Sequence, residues 1–232
     1  MSTAPKICDI SVIIPTLNEE TEISAAVRQA AGRPGIEVLV VDGGSSDRTV
    51  ALAEAAGATV LQATAGRGHQ LNAGARAARG RILLFLHADT RLPESFPGLI
   101  EQALRQPDLA AGAFRFAVAA PGWRFRLLER LVNWRARAFS LPYGDQALFL
   151  SAERFQAVGG FAEIPLLEDL ALVRRLRGLG RITLLSAPAR TSPRRWLRLG
   201  LLRVTLRNQL ILLGYLLGVD PGRLARWYGK HR

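Results

Sequence analysis

Two apolar runs in this chain each end in an acidic turn: VLVVDGGSSDRT over residues 38–49 and ILLFLHADTR over residues 82–91. Four or five consecutive apolar residues rich in Val, Ile and Leu, with no polar alternation, suit a strand buried on both faces. An Asp directly after such a strand stands at its carboxyl end, where open α/β sheets bind ligands. Asp42 and Asp89 are thus two carboxylates at two strand ends. That arrangement suits a nucleotide on one side and a divalent metal on the other.

The first 110 residues repeat the same alternation. Strand-like runs are Ile10–Ile14, Val38–Val41, Thr59–Leu61 and Ile82–Leu86, with helix-like stretches near Glu19–Ala31, Asp47–Ala56 and Gln70–Arg79. Strands separated by single helices imply right-handed crossovers and a parallel sheet. Ser46 or Asp47 is placed to cap the second helix and Gly57 to end it. Further on, Ala110–Val118 and Gln146–Leu150 read as strands, and Trp123–Phe139 and Leu167–Leu179 as helices. One long helix is expected over Arg194–Leu217, with Arg198, Arg203 and Arg207 interrupting its apolar residues. Its apolar run is too short to span a bilayer, so it reads as amphipathic, packed on the core or lying at a membrane surface.

Charge is distributed unevenly. Residues 1–110 carry 10 basic and 12 acidic side chains, whereas residues 174–232 carry 14 and one, a net of +13. A compositional bias accounts for Arg over Lys, since only Lys6 and Lys230 are lysines, but not for the loss of acids after Asp169. The block therefore reads as a basic surface for a polyanionic partner. The single cysteine, Cys8, excludes an intramolecular disulfide and a cysteine-based zinc site. The N-terminus shows no signal-peptide pattern, and the expected location is cytoplasmic, peripheral on the inner face of the cell membrane.

The succession ISVIIPTLNEE (10–20), VVDGGSSDRT (40–49), NAGARAARGRILLFLHAD (72–89), GGF (159–161) and LLEDLALVRRLRGLG (166–180) resembles family 2 glycosyltransferases of the GT-A fold. The motifs GRGHQLNAG, LHADT, YGDQ and GVDPGRLARWY are similar to a small bacterial subfamily labelled as transferases associated with radical-SAM and selenium-domain proteins. The resemblance implies a mostly parallel α/β sheet flanked by helices, with residues 1–190 as the catalytic domain and residues 191–232 as a basic amphipathic helical segment. It implies an inverting transfer of sugar from a UDP- or GDP-sugar to an acceptor hydroxyl, assisted by Mn²⁺ or Mg²⁺.

Residue by residue, the resemblance places Pro15, Thr16, Asn18 and Glu19 along the nucleotide pocket, and Asp42 against the base. Gly43 stands where the family usually has a second acid, which leaves less to hold a ribose. The metal motif takes the form His87-Ala88-Asp89, with Asp89 on the metal and His87 on metal or ribose. Arg67, in the Gly66–Gln70 loop, is placed to hold a diphosphate oxygen, and Arg195 is placed near the same group. Asp145 faces the acceptor, and Asp169 is the general base, one carboxylate on the face opposite the leaving group. Blander readings exist for each: a polar helix cap at Asn18, a backbone-satisfied imidazole at His87, an acid pair on a helix dipole at Glu168-Asp169.

Other classes fit less well. A dinucleotide-binding enzyme needs G-x-G-x-x-G after its first strand, where this chain has PTLNEE. The same segment argues against a sugar-1-phosphate nucleotidyltransferase, which needs a Gly-rich, Arg-containing loop there. The chain lacks the Gln of the Q-x-x-R-W sequence of processive relatives, carrying SPRRW at 192–196 instead. A non-catalytic protein docking its basic segment on membrane or nucleic acid is the remaining rival. No nucleic-acid motif is present, and the partner expected beyond donor and acceptor is an anionic membrane surface.

Overall fold

The computed structural model describes residues 9–229; Lys6, Cys8 and Lys230 lie outside them. The first half follows the expected alternation: β1 (Ile10–Thr16), α1 (Ile23–Arg28), β2 (Ile36–Asp42), α2 (Thr49–Ala55), β3 (Thr59–Gln62), α3 (Arg67–Ala77) and β4 (Ile82–Phe85). Next come β5 (Thr90–Arg91), α4 (Phe96–Leu104), β6 (Leu109–Val118) and α5 (Trp123–Phe139). A 3₁₀ turn (Gly144–Gln146) leads to β7 (Phe149–Ser151), α6 (Ala152–Ala157), α7 (Glu168–Leu176) and β8 (Arg181–Thr191). The described chain closes with α8 (Arg194–Leu199), α9 (Leu201–Leu216) and α10 (Pro221–Gly229).

The eight strands form one sheet in the order β3-β2-β1-β4-β7-β6-β8-β5. Strands β1 to β4 are mutually parallel, β7 runs against both β4 and β6, and β5 runs against β8. Burial on both faces explains the unbroken apolar runs. Ile10, Val12 and Ile14 of β1 pack with α1 and α4 on one side, while Ile13 joins Leu71 of α3 and Leu172, Val173 and Leu176 of α7 on the other.

Pro15 does not end β1 as expected; the strand runs on to pair Thr16 with Asp42. The Ile13 carbonyl accepts the Leu86 N–H on the β4 side. Two residues on, the N–H that Pro15 lacks would point to the same side, past the last paired residue of β4.

Three further departures have physical causes. The 11-residue β8 was not anticipated, because Ser186 and Pro188 break its pattern. It pairs with β6 in parallel only through register shifts, one of which falls between Ala113 and Arg115. The two-residue β5 is too short to leave a pattern, yet it fixes the segment after Asp89 against Arg190 and Thr191. The expected helix over Arg194–Leu217 is two helices, broken at Gly200, whose φ of +84° is open to glycine at no steric cost.

The edge of β6 beyond Gly112, where β7 stops pairing, is capped by side chains rather than by a strand. Gln146 donates to the Phe114 carbonyl at 3.2 Å, and the Asn133 amide bonds both the N–H and the carbonyl of Phe116 at 2.8 and 2.9 Å. Glu129 accepts the Val118 N–H at 2.7 Å, and Arg126 donates to the Val118 carbonyl at 3.0 Å. Every second residue faces this edge, so the period of the strand sets the spacing of the caps. Three of the four come from α5, which lies along the edge and covers it.

Candidate functional site

The loops after β1, β2 and β4 share one end of the sheet, and the first two are stitched together. Asn18, at φ +56°, accepts the Ser46 N–H at 2.9 Å, the Glu19 N–H donates to the Thr49 hydroxyl at 2.8 Å, and Asp47 accepts the Glu20 N–H at 3.2 Å. Asp47 also accepts the Thr49 N–H at 2.9 Å from one residue ahead of the N-cap of α2, a position that Arg48 takes instead of the expected Ser46 or Asp47. Gln70 of α3 reaches beneath, donating to the Thr16 and Val41 carbonyls at 2.8 Å each. A Cβ at residue 43 would come within 3.1 Å of the Gln70 amide, so Gly43 is what lets that side chain in.

Asp42 is buried, and its carboxylate serves its own loop. The N–H groups of Gly44 and Ser45 bond Oδ2 at 2.9 and 2.8 Å, and the Ser45 and Thr16 hydroxyls approach Oδ1 at 2.5 and 3.4 Å. A carboxylate accepts about four hydrogen bonds, so three short bonds leave Asp42 little capacity for a base in this arrangement. Burial works against the charge, but these donors outweigh it and hold the carboxyl below its ordinary value.

Asp89 contrasts with it. Its Oδ1 has only long contacts, 3.4 Å to each of the Thr90 and Thr191 hydroxyls, while its carbonyl accepts the Ser192 N–H at 2.9 Å. The strand end therefore presents a fixed carboxylate with free lone pairs. Glu19 stands near it and is paired with Arg194, and burial raises the Glu19 carboxyl despite that pairing. Arg194 was missed in the sequence; its neighbour Arg195, in the same SPRRW run, instead lies over the Tyr228 ring at 5.2 Å.

Arg67, His87, Gly144, Glu168 and Asp169 converge on one point. Arg67 opens α3, so the GRGHQ segment lies within the first helical turn rather than before it. It pairs with buried Glu168 at 3.1 Å and contacts His87 Nε2. Asp169 Oδ2 accepts the Gly144 N–H at 2.6 Å, and Oδ1 accepts the Leu170 N–H at 2.7 Å. A methyl group at Gly144 would lie 3.0 Å from Arg67 Nη2, 3.1 Å from His87 Nε2 and 3.2 Å from Asp169 Oδ2.

Burial opposes the charge of Arg67, but Glu168, Asp169, Asp145 and Asp89 together raise its affinity for the proton. Burial and the Arg67 guanidinium hold His87 neutral, well below its usual range. Its Nε2 thus accepts from Arg67, which leaves that nitrogen no lone pair for a metal in this arrangement.

Asp145 lies beside this cluster. Burial pushes its carboxyl up to about 6, against the pull of Arg135. Its Oδ1, the Tyr143 hydroxyl and the Arg135 Nε and Nη2 are shut off from solvent without a hydrogen-bond partner. The Arg135 guanidinium stacks over the Tyr143 ring at 3.7 Å. The backbone is unusual here too: Ser140, Ala147 and Leu167, none of them glycine, take φ values of +50°, +49° and +64°. The first two bracket the Asp145 loop, and Leu167 directly precedes Glu168 and Asp169. Such conformations cost of order 1–3 kcal/mol each and persist where surrounding structure enforces them.

Among the described residues, no three His, Cys, Asp or Glu side chains are grouped to hold a metal ion by themselves. A divalent ion here would take Asp89 as its protein ligand and fill its other positions from water and a bound phosphate. Mg²⁺ is commonly held in that way.

Comparisons with known proteins bear on the family and the fold. The pattern of glycosyl transferase family 2 matches residues 11–154. An undecaprenyl-phosphate 4-deoxy-4-formamido-L-arabinose transferase of Pseudomonas paraeruginosa is 34% identical over 160 residues, covering 62% of this chain and 47% of its own length. An uncharacterized glycosyltransferase of Mycobacterium tuberculosis is 33% identical over 150 residues, covering 62% and 67%. The chain spans about half the length of the arabinose transferases it matches. In fold it is similar to a mannosyltransferase of Pyrobaculum calidifontis solved with GDP-Man and Mn²⁺, at a TM-score of 0.62 and 21% identity, with 78% of this chain and 56% of that one covered. Glucosyl-3-phosphoglycerate synthase of M. tuberculosis, solved with Mn²⁺ and UDP, gives 0.59 and 22%, covering 78% and 70%.

Proposed function

The chain belongs to glycosyl transferase family 2, and from that premise we propose that it transfers a sugar from a nucleotide-diphosphate sugar to an acceptor hydroxyl with inversion. The observation that carries this reading is the convergence of Arg67, Gly144 and Asp169 beside the strand end that bears Asp89. Asp89 would hold Mn²⁺ or Mg²⁺, and the ion would supply positive charge at the departing diphosphate. Arg67 adds a second cation there, kept in place by Glu168. Asp169 takes the acceptor proton, positioned by the Gly144 and Leu170 N–H groups. Solved structures of the same fold, one with GDP-Man and one with UDP, support UDP or GDP as the leaving nucleotide. For Asp42, the geometry favours shaping the pocket loop over reading the base.

Asp145 is the second candidate for the base, because a carboxyl raised to about 6 is better matched to neutral pH. Thermal shift with UDP, GDP and their sugars, with and without Mn²⁺, tests donor binding; a ligand at 100 times its dissociation constant stabilises by roughly 2.7 kcal/mol. No shift with any nucleotide sugar would remove the reading.

The acceptor is proposed to sit at a membrane surface. On α9, Leu202, Leu206, Leu210 and Leu213 are exposed, while Val204, Arg207 and Ile211 face inward. The leucines are thus not used for packing on the catalytic core. Among the described residues no helix is long and apolar enough to cross a membrane. The first relative's name includes undecaprenyl-phosphate, which supports an acceptor carried on a lipid.

A further inference from the structure

Helix α5 has two apolar faces. Its inner face packs Leu128, with Phe125 and Val132, against Phe116 and Val118 of β6, where Trp196 of α8 and Leu201 of α9 also join. Its outer face carries Trp123, Leu127, Leu131 and Trp134, exposed by 71, 47, 56 and 64%. At about 100° per residue, these four fall within about 80° of arc. A surface helix needs one apolar stripe to reach its core, and this second stripe touches none.

Arginines flank the outer stripe on both sides. Arg124 lies on one edge; Arg126 and Arg130, with Arg137 two turns further on, lie on the other. Together with Arg115 of β6, Glu129, Asn133 and Trp134, the latter three arginines line a groove of about 730 Å³. Arg126 is paired with Glu129 at 2.9 Å, but Arg130 and Arg137 have no carboxylate partner among the described residues. The groove therefore holds four arginines against one glutamate.

We propose that α5 is a membrane-contact helix, whose Trp–Leu stripe enters the interface of an anionic bilayer while the arginine groove beside it takes lipid phosphate. Tryptophan and leucine at the apolar–polar boundary, with arginine on the polar side, is the pattern of a helix lying in that plane. Charge selects this occupant over others. A second copy of the chain would bring the two sets of arginines together, and nucleic acid would leave the leucines without an apolar surface. The contact is separate from the one proposed for α9 and from the catalytic reading, and shares with α9 only the cluster around Leu128.

The test uses the full chain carrying Trp196→Phe and Trp227→Phe, so that of its four tryptophans only Trp123 and Trp134 report. With vesicles of phosphatidylglycerol and phosphatidylcholine, their emission should shift to the blue and be quenched by lipids brominated near the headgroup. Affinity should rise with phosphatidylglycerol and fall with salt. Leu127→Gln with Leu131→Gln should weaken sedimentation with vesicles about tenfold or more, and Arg130→Gln or Arg137→Gln about fivefold each. Leu206→Gln with Leu210→Gln on α9 should leave the quenching in place. Leu131→Gln alone serves if the double variant does not fold. No blue shift at low salt overturns the proposal, as does unchanged binding in the leucine variants. Two results assign the face to another occupant: a dimer abolished by those variants, or oligonucleotide binding through the same arginines without vesicle binding.

Discussion

Asp145→Asn should make the protein more stable at neutral pH. The wild-type carboxyl is buried and pushed up from 3.8 to about 6. In the unfolded chain it ionises near 3.8, so between 3.8 and 6 the native state binds the extra proton. Stability then falls as pH rises through this window. The full contribution is present below 3.8 and gone above 6. A shift of about two units corresponds to about 3 kcal/mol, an upper bound for the gain from removing the charge. Asn has the shape of the protonated acid, so little of the packing changes. Urea unfolding followed by tryptophan fluorescence, at pH 5.0 and 7.5, measures it. The variant should gain at 7.5 and keep only about half of that advantage at 5.0. An equal difference at both values would refute the reasoning, because a packing effect does not titrate. A loss at pH 7.5 would show instead that Arg135 depends on the Asp145 charge.

Asp89→Ala should abolish metal-dependent binding of nucleotide sugar while the fold survives, which calorimetry with and without Mn²⁺ checks. Asp169→Asn should keep donor binding and lower turnover by about 10²–10⁴-fold; parental turnover would move the base to Asp145. Asn133→Ala leaves both backbone groups of Phe116 without partners and should cost about 2–4 kcal/mol in chemical denaturation. Gly112→Val drives a side chain into the ring of Phe149 and should destabilise by more than about 1 kcal/mol, with β6 and β7 separating.

The doubly buried strands were legible because Val38–Val41 and Ile82–Leu86 carry no alternation, and a parallel sheet covered on both faces produces that pattern. Trp123–Phe139 was legible to the residue, because Trp123, Leu127, Leu128, Leu131 and Trp134 follow the helical period, although all but Leu128 face outward. What failed depended on partners distant in sequence. β8 takes its conformation from β6 and tolerates Pro188 through a register shift, which no local pattern announces. The helix expected over Arg194–Leu217 runs through Gly200, whereas the backbone uses that residue at positive φ to break the helix. At the site, spacing placed Asp42 and Asp89 alike at strand ends. It did not reveal that the loop after Asp42 turns back to fill its carboxylate, while the loop after Asp89 is drawn away by β5 and leaves its carboxylate open. Arg195 was named from its match to the Arg of Q-x-x-R-W, which does not reveal that Arg194 is the one paired with Glu19.

The basic C-terminal quarter is not a single-purpose appendage. Its proposed start at residue 191 falls on the last residue of β8, where Thr191 contacts Asp89. Three residues later Arg194 pairs with Glu19 at the end of β1. Beyond that, Trp196 meets Phe116 edge-on at 6.0 Å and joins the cluster beneath α5. Within six residues the chain thus passes from the proposed metal-bearing carboxylate to the base of the outward-facing helix. At the other end of that helix, Arg135 reaches Tyr143 in the loop that carries Asp145 and Gly144. The same helix therefore caps the edge of β6, faces solvent with tryptophan and leucine, and supports the loop that carries Asp145. A bilayer bound along its outer face would fix the cleft relative to the lipid surface through rigid elements rather than through a flexible tether. An acceptor carried in that bilayer would then meet Asp169 at a set height above it, which is the orientation that a positioned base requires.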